Sequence, residues 1–194
     1  AFEEHWWEDR QSVNIGGVPM YTLGAERLLL YLCMHGGKHS WSRLGWLYDL
    51  QFALRTYPAA DWSTMWRLAR ENGAERMVGI GLTLVATLLG DRELVAPAIR
   101  GRVLDGEVGT ISELIARRFR GDQLYDPYID YRVQVRSRDR LRDRLRYTWH
   151  ILAAPHPSDV SLLALPRGLH SVYYVLRPMR LVWKNVVRRT PGHL

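Results

Sequence analysis

The densest group of chemically capable side chains lies between residues 35 and 49. In the run His35-Gly-Gly-Lys38-His39-Ser-Trp41-Ser-Arg43-Leu-Gly-Trp46-Leu-Tyr-Asp49, two imidazoles, an ammonium, a guanidinium and a carboxylate fall within fifteen residues. Lysine and arginine together suit a phosphate or another anion, the first as a point charge and the second as a planar fork, and histidine adds a third donor. His35, Lys38, His39, Arg43 and Asp49 are therefore the candidate substrate- or phosphate-binding residues. A structural reading of the same residues competes with this one: the histidines cap helix ends, Asp49 pairs with Arg43 or Arg55, and the tryptophans fill the core. The i, i+4 spacing of His35 and His39 also occurs in zinc sites, but no third ligand accompanies it.

Catalytic patterns are scarce elsewhere. Nucleotidyl and phosphoryl transfer use clustered carboxylates to hold divalent metal, and the chain has no Asp-x-Asp pair. Asp122, Asp126 and Asp130 recur every four residues, but Pro127 interrupts them, so they read as loop carboxylates that cap helices or pair with nearby arginines. Neither a Gly-x-x-x-x-Gly-Lys-Ser/Thr loop nor a Gly-x-Ser-x-Gly elbow occurs. No catalytic residue and no metal ligand is assigned.

The elements that must position these groups follow from periodicity and punctuation. Ser12 to Ile15, a Gly16-Gly17 turn and Val18 to Tyr21 read as a β-hairpin, with Pro19 requiring an edge. Leu28 to Met34 is apolar nearly all round, which predicts a central helix, stopped by Gly36-Gly37. Further helices are predicted from about Trp41 to Thr56, from Asp61 as N-cap to Asn72 with Gly73 as stop, and from Ala74 to Leu89. Shorter ones follow at roughly 92–104 and 108–120. Gly121 to Asp130 reads as a loop, Arg138 to Leu152 as a basic helix, and Pro166 to Arg189 as a last helical stretch broken at Pro178. The fold class is mainly α, a helical bundle with a short N-terminal hairpin. Its expected divisions are an entry segment 1–23, the bundle 24–154, and a basic C-terminal segment 155–194 packed on the bundle.

Composition bounds the partners. Hydrophobic residues make up 47% and charged residues 24%, values of a folded globular chain. The formal charge of +7 favours an anionic partner. Two stretches concentrate that charge. Arg132 to Arg146 holds seven arginines and two aspartates, with Leu141, Leu145 and Trp149 forming one apolar stripe. It suits either an RNA-binding face or an ordinary amphipathic helix with a solvated basic side. Arg177 to Arg189 holds five basic residues and no acidic one among large apolar residues, which suits an anionic membrane surface, a partner, or docking on the bundle itself. The single cysteine, Cys33, lies in an apolar run and reads as a buried thiol, consistent with a cytoplasmic location. No apolar run approaches the ~20 residues of a membrane span. The first residues are acidic and aromatic and do not form a signal peptide.

Thr22-Leu-Gly-Ala-Glu26, Leu28 to Cys33 and the series His35-Gly-x-Lys38-His39-x-Trp41-x-Arg43-Leu44-x-Trp46-x-x-Asp49 carry a family resemblance. So do Asp61-Trp62, Gly79-x-Gly-Leu, Leu165-Pro166 and Tyr173 to Leu181. The chain resembles the uncharacterised nucleotidyltransferase family of bacteria, over nearly all of its length. Members of that family are similar to minimal nucleotidyltransferases. The resemblance implies an α/β half upstream of this chain, bearing the Asp-x-Asp pair that would hold Mg2+ on a nucleoside triphosphate. This chain would be the C-terminal helical, substrate-side region, serving an unknown acceptor. The rival reading is a non-catalytic module that binds RNA or an anionic membrane surface through its basic helices.

Overall fold

A computed structural model describes residues 4–122 and 127–153, with the isolated positions Val172, Tyr174 and Met179. Asp126 and, apart from those three positions, the last helical stretch predicted from Pro166 onward lie outside the described residues.

After a 3-10 turn at Glu4–Trp7, strands β1 (Gln11–Ile15) and β2 (Val18–Thr22) pair antiparallel, with Val13 opposite Met20 and Asn14 opposite Pro19. Gly16 and Gly17 take φ of 60° and 87°, the left-handed pair that a two-residue hairpin turn requires, and the Gly17 N–H donates to Asn14 Oδ1 at 2.8 Å. Among the described residues eight helices follow: α1 (Ala25–Lys38), α2 (Leu44–Thr56), α3 (Trp62–Asn72), α4 (Glu75–Leu88), α5 (Arg92–Ile99), α6 (Gly106–Arg120), α7 (Pro127–Arg136) and α8 (Leu141–Ala153). The chain is mainly helical, with its strands confined to the hairpin among the described residues.

Local chemistry places both ends of α3 and of α6. Asp61 accepts from the Ser63 N–H at 2.9 Å at the start of α3, and Asp105 accepts from the Glu107 N–H at 2.9 Å at the start of α6. Gly73 and Gly121 close those same helices in the left-handed conformation. Two expectations require correction. Gly36-Gly37 does not stop α1, which continues to Lys38. The segment expected to be a loop up to Asp130 contains the start of α7, which begins at Pro127, where a proline's missing N–H costs nothing.

The chain divides into two compact units, residues 1–140 and 141–194. In the first, α4 is the hub, packing against α1, α2, α3, α5 and α6. Its buried residues, Met77 to Leu82 with Leu84 and Val85, go all the way round the helix. The sequence pattern pointed to α1 as the central helix. That helix is less enclosed, because Tyr31, Leu32 and Met34 are only half-buried. In the second unit, α8 carries Leu141, Leu145 and Trp149 at 68%, 61% and 64% exposure. That apolar stripe is exposed.

Candidate functional site

The segment from His35 to Asp49 joins the end of α1 to the first turns of α2, and its residues separate into an inner and an outer set. The inner set is Gly36, Gly37, Ser40 and Trp41. Trp41 is fully buried, and its ring lies between Gly36 of α1 and Gly81 of α4. A Cβ on Gly81 would sit 2.8 Å from the ring, and one on Gly36 would come closer still. To fold back this far the backbone takes φ of 53° at Ser40 and 49° at Trp41, a conformation that costs non-glycine residues about 1 kcal/mol or more each. The Trp41 N–H compensates by donating to the Gly36 carbonyl at 2.8 Å. Trp41 Nε1 is buried and has no hydrogen-bond partner among the described residues.

A brace from far along the chain holds this turn. Gln134 on α7, itself buried, donates through Nε2 to the Gly37 carbonyl at 3.1 Å, to Ser40 Oγ at 3.0 Å and to the Lys38 carbonyl. Arg118 on α6 donates to the Ser40 carbonyl at 3.4 Å and pairs with Asp130 at 2.6 Å. Sequence reasoning placed Asp130 among the carboxylates that pair with nearby arginines, and it does. The bracing roles of Gln134 and Arg118 had no sequence signal, because the carbonyls they hold lie more than seventy positions away.

The outer set is His35, Lys38, His39, Arg43 and Asp49. The His35 and His39 rings lie 4.9 Å apart, and both pack on Trp46, at 5.4 Å and 5.0 Å. Arg43 stacks over the same indole at 5.7 Å. Lys38, His39, Arg43 and Asp49 are exposed, while His35 is half-buried. The result is a cationic, aromatic-backed patch. The pKa of His39 is held below the ordinary histidine value, first by partial desolvation and then by His35, Lys38 and Arg43. Asp49 pairs with neither Arg43 nor Arg55; Arg55 instead binds Asp91 at 2.7 Å. Beside the patch, α2 buries Leu47, Leu50, Ala53 and Leu54 and turns Leu44, Tyr48 and Phe52 outward, the last 73% exposed.

A magnesium ion does not fit the described donors. Asp91, Asp105, Glu113 and Asp130 are each engaged by arginine, and no group of three or more His, Cys, Asp or Glu among the described residues is placed to hold a metal ion. A separate cavity of about 220 Å³ lies by Trp66, Arg76, Arg102, Asp105 and Asp139. Its charges are already committed: Arg76 forks onto Asp105, and Asp139 accepts the Glu75 and Arg76 N–H groups at 2.6 and 2.9 Å, capping α4. Arg102 stacks on Trp66 at 4.4 Å. Among the described residues no helix is long and apolar enough to cross a membrane.

Residues 1–90 match a family described as an uncharacterised nucleotidyltransferase, a span that runs from the hairpin through α4 and includes the whole patch. The match supports a nucleotidyltransferase-type function. It is narrower than the resemblance read from the motifs, whose later elements, Leu165-Pro166 and Tyr173 to Leu181, lie beyond it. No curated protein and no solved structure matches the chain.

Proposed function

We propose that this chain is the helical, substrate-side region of an enzyme that transfers a nucleotidyl group from a nucleoside triphosphate to an acceptor, and that its cationic patch holds the phosphates or an anionic acceptor. The observation that carries this reading is the convergence of Lys38, His39 and Arg43 on one exposed surface, inside the span that matches the nucleotidyltransferase family. In nucleotidyl transfer an acceptor nucleophile bonds to the α-phosphorus as the bond to pyrophosphate breaks, so negative charge builds on the leaving group. Fixed cations beside that group lower the barrier because they need no reorganisation during the step. Lys38 and Arg43 fit this role, and the Trp46 indole holds the guanidinium in place.

The described carboxylates do not suit the metal, so Mg2+ and the residues that bind it belong in this reading to an upstream nucleotidyltransferase domain. The exposed Leu44, Tyr48 and Phe52 face of α2 is a surface on which that domain or the acceptor would pack. A cytoplasmic setting completes the reading, supported by the buried free thiol of Cys33, whose pKa burial pushes well up.

The test uses the imidazole of His39 as a reporter. Partial desolvation and then the neighbouring cations hold its pKa down, so an anion bound among them raises it, and binding takes up protons at pH values between those of the free and bound imidazole. Titrating the chain with inorganic tripolyphosphate, followed by NMR of the histidine rings, should move the His39 pKa upward. Lys38→Ala and Arg43→Ala should abolish the response and leave the melting temperature within about 2 °C, as both side chains are exposed. A His39 pKa indifferent to tripolyphosphate, or variants that lose the response only because they unfold, would return the segment to a purely structural role.

A further inference from the structure

The exposed stripe of α8 is unaccounted for by nucleotidyl transfer. Besides Leu141, Leu145 and Trp149, Leu152 is 41% exposed. Successive helical residues turn by ~100°, so these four side chains fall within an arc of about 80° along one edge of α8. Arg142 and Arg146 follow at the border of that arc and are exposed, and Arg144 lies beyond the opposite border. Asp143, the acidic residue of the helix, sits on the far side and forms an ion pair with Arg142 at 3.7 Å. The helix therefore shows an apolar strip with two exposed arginines, Arg142 and Arg146, along one margin, and Asp143 lies on the side away from it.

We infer that α8 docks in the plane of an anionic lipid surface. The charge pattern selects this occupant. A helix lying at a bilayer interface buries a narrow apolar strip to the depth of the headgroup boundary, with arginines at the strip's margins level with the lipid phosphates. Guanidinium groups bind those phosphates as two-pronged forks, and an indole is favoured at this depth because one edge is apolar and the other polar. Nucleic acid would call for the reverse order, with arginines at the centre of the face rather than three leucines. The chain's net charge of +7 has the sign that an anionic surface attracts. From Leu141 to Leu152 the strip is roughly 16 Å long, too short to span a bilayer and long enough to lie along one.

Vesicle co-sedimentation of the 194-residue chain tests the inference. Vesicles of neutral phosphatidylcholine are compared with vesicles containing about 30 mol% phosphatidylserine, a strongly anionic surface. The chain should bind the anionic vesicles and not the neutral ones, and less as salt rises. The double variant Leu145→Ser, Trp149→Ser should weaken binding at least tenfold without lowering the melting temperature. Arg146→Ala alone should weaken it about fivefold, the effect of one cation at such a surface. The inference is overturned by no partition onto anionic vesicles, by equal partition onto both kinds, or by a double variant that binds as well as the parent. A double variant that melts well below the parent also overturns it, since the strip would then be covered by protein. So does displacement from vesicles by single-stranded RNA at physiological salt, which would assign the arginines to nucleic acid.

Discussion

Trp41 and Lys38 stand three residues apart and are held to different standards by their surroundings. Trp41 is packed on two glycines, so the space it fills allows no Cβ at either. Gly36→Ala should therefore destabilise the protein by roughly 3 kcal/mol or more, since overpacking a close-packed site forces backbone shifts. Gly45, at the start of α2, has nothing within 4 Å of where its Cβ would be, and Gly45→Ala should be neutral or stabilising by about 0.5 kcal/mol. Urea denaturation of both variants measures the contrast, and equal effects would contradict the packing described for Trp41. Lys38 makes no such fit. Its effect is electrostatic, and Lys38→Ala should let the His39 pKa rise toward its ordinary value even without ligand. An unchanged His39 titration in that variant would mean that Lys38 does not contribute to the field at the ring.

At the scale of elements, α7 and the segment after it act mainly as braces. Gln134 satisfies two carbonyls and one hydroxyl at the end of α1, all buried or half-buried. Gln134→Ala should cost about 2–3 kcal/mol, because the groups left behind lose their partner without gaining water. Asp139 caps α4 from outside that helix by accepting two backbone N–H groups. Asp139→Ala should cost about 1–2 kcal/mol, the usual loss for a removed cap. Burial nonetheless raises the Asp139 pKa, outweighing the two N–H donors that favour its charge. The sign follows: a carboxyl whose folded pKa is raised favours the folded state when protonated, and that contribution fades as pH rises through the folded value. The pH dependence of chemical unfolding should thus be steeper toward acid in Asp139→Asn than in the parent, because the opposing group is gone.

For the whole molecule the acid response is set by carboxylates of the other kind. Asp61 is held low by hydrogen bonds from Thr64 and Ser63, Asp91 by Arg55 and Gln51, Asp105 by the Glu107 N–H and Arg76, and Glu113 by Arg117 and Arg120. A depressed folded pKa contributes stability above the unfolded value, and that stability is lost as pH falls through the folded value. The melting temperature should accordingly decline slightly below about pH 6.5, where His39 with its lowered pKa opposes protonation of the folded state, and fall more steeply below about pH 4. Protonation also leaves the arginines of a chain already at +7 unopposed, which adds self-repulsion to the lost pairs. Calorimetry across that range checks this, and a melting temperature that rises on acidification would contradict it.

Much of this protein was legible in its sequence wherever the deciding interaction was local. The hairpin turn at Gly16-Gly17, the Asp61 cap and the Gly73 stop are each decided by residues within a few positions of one another, so spacing alone revealed them. Contiguity in sequence likewise brings His35, Lys38, His39 and Arg43 close together. What the sequence could not decide was direction: which residues of the His35 to Asp49 group face inward and which face solvent. Periodicity treats Gly36 as a helix stop because glycine usually is one. Here a tryptophan five residues later needs the space, and a glutamine on α7 holds the turn that puts it there. The hub role of α4 and the outward face of α8 are of the same kind. An apolar stripe states only that a helix has something to cover, and the tertiary packing alone determines whether the cover lies within the protein or outside it.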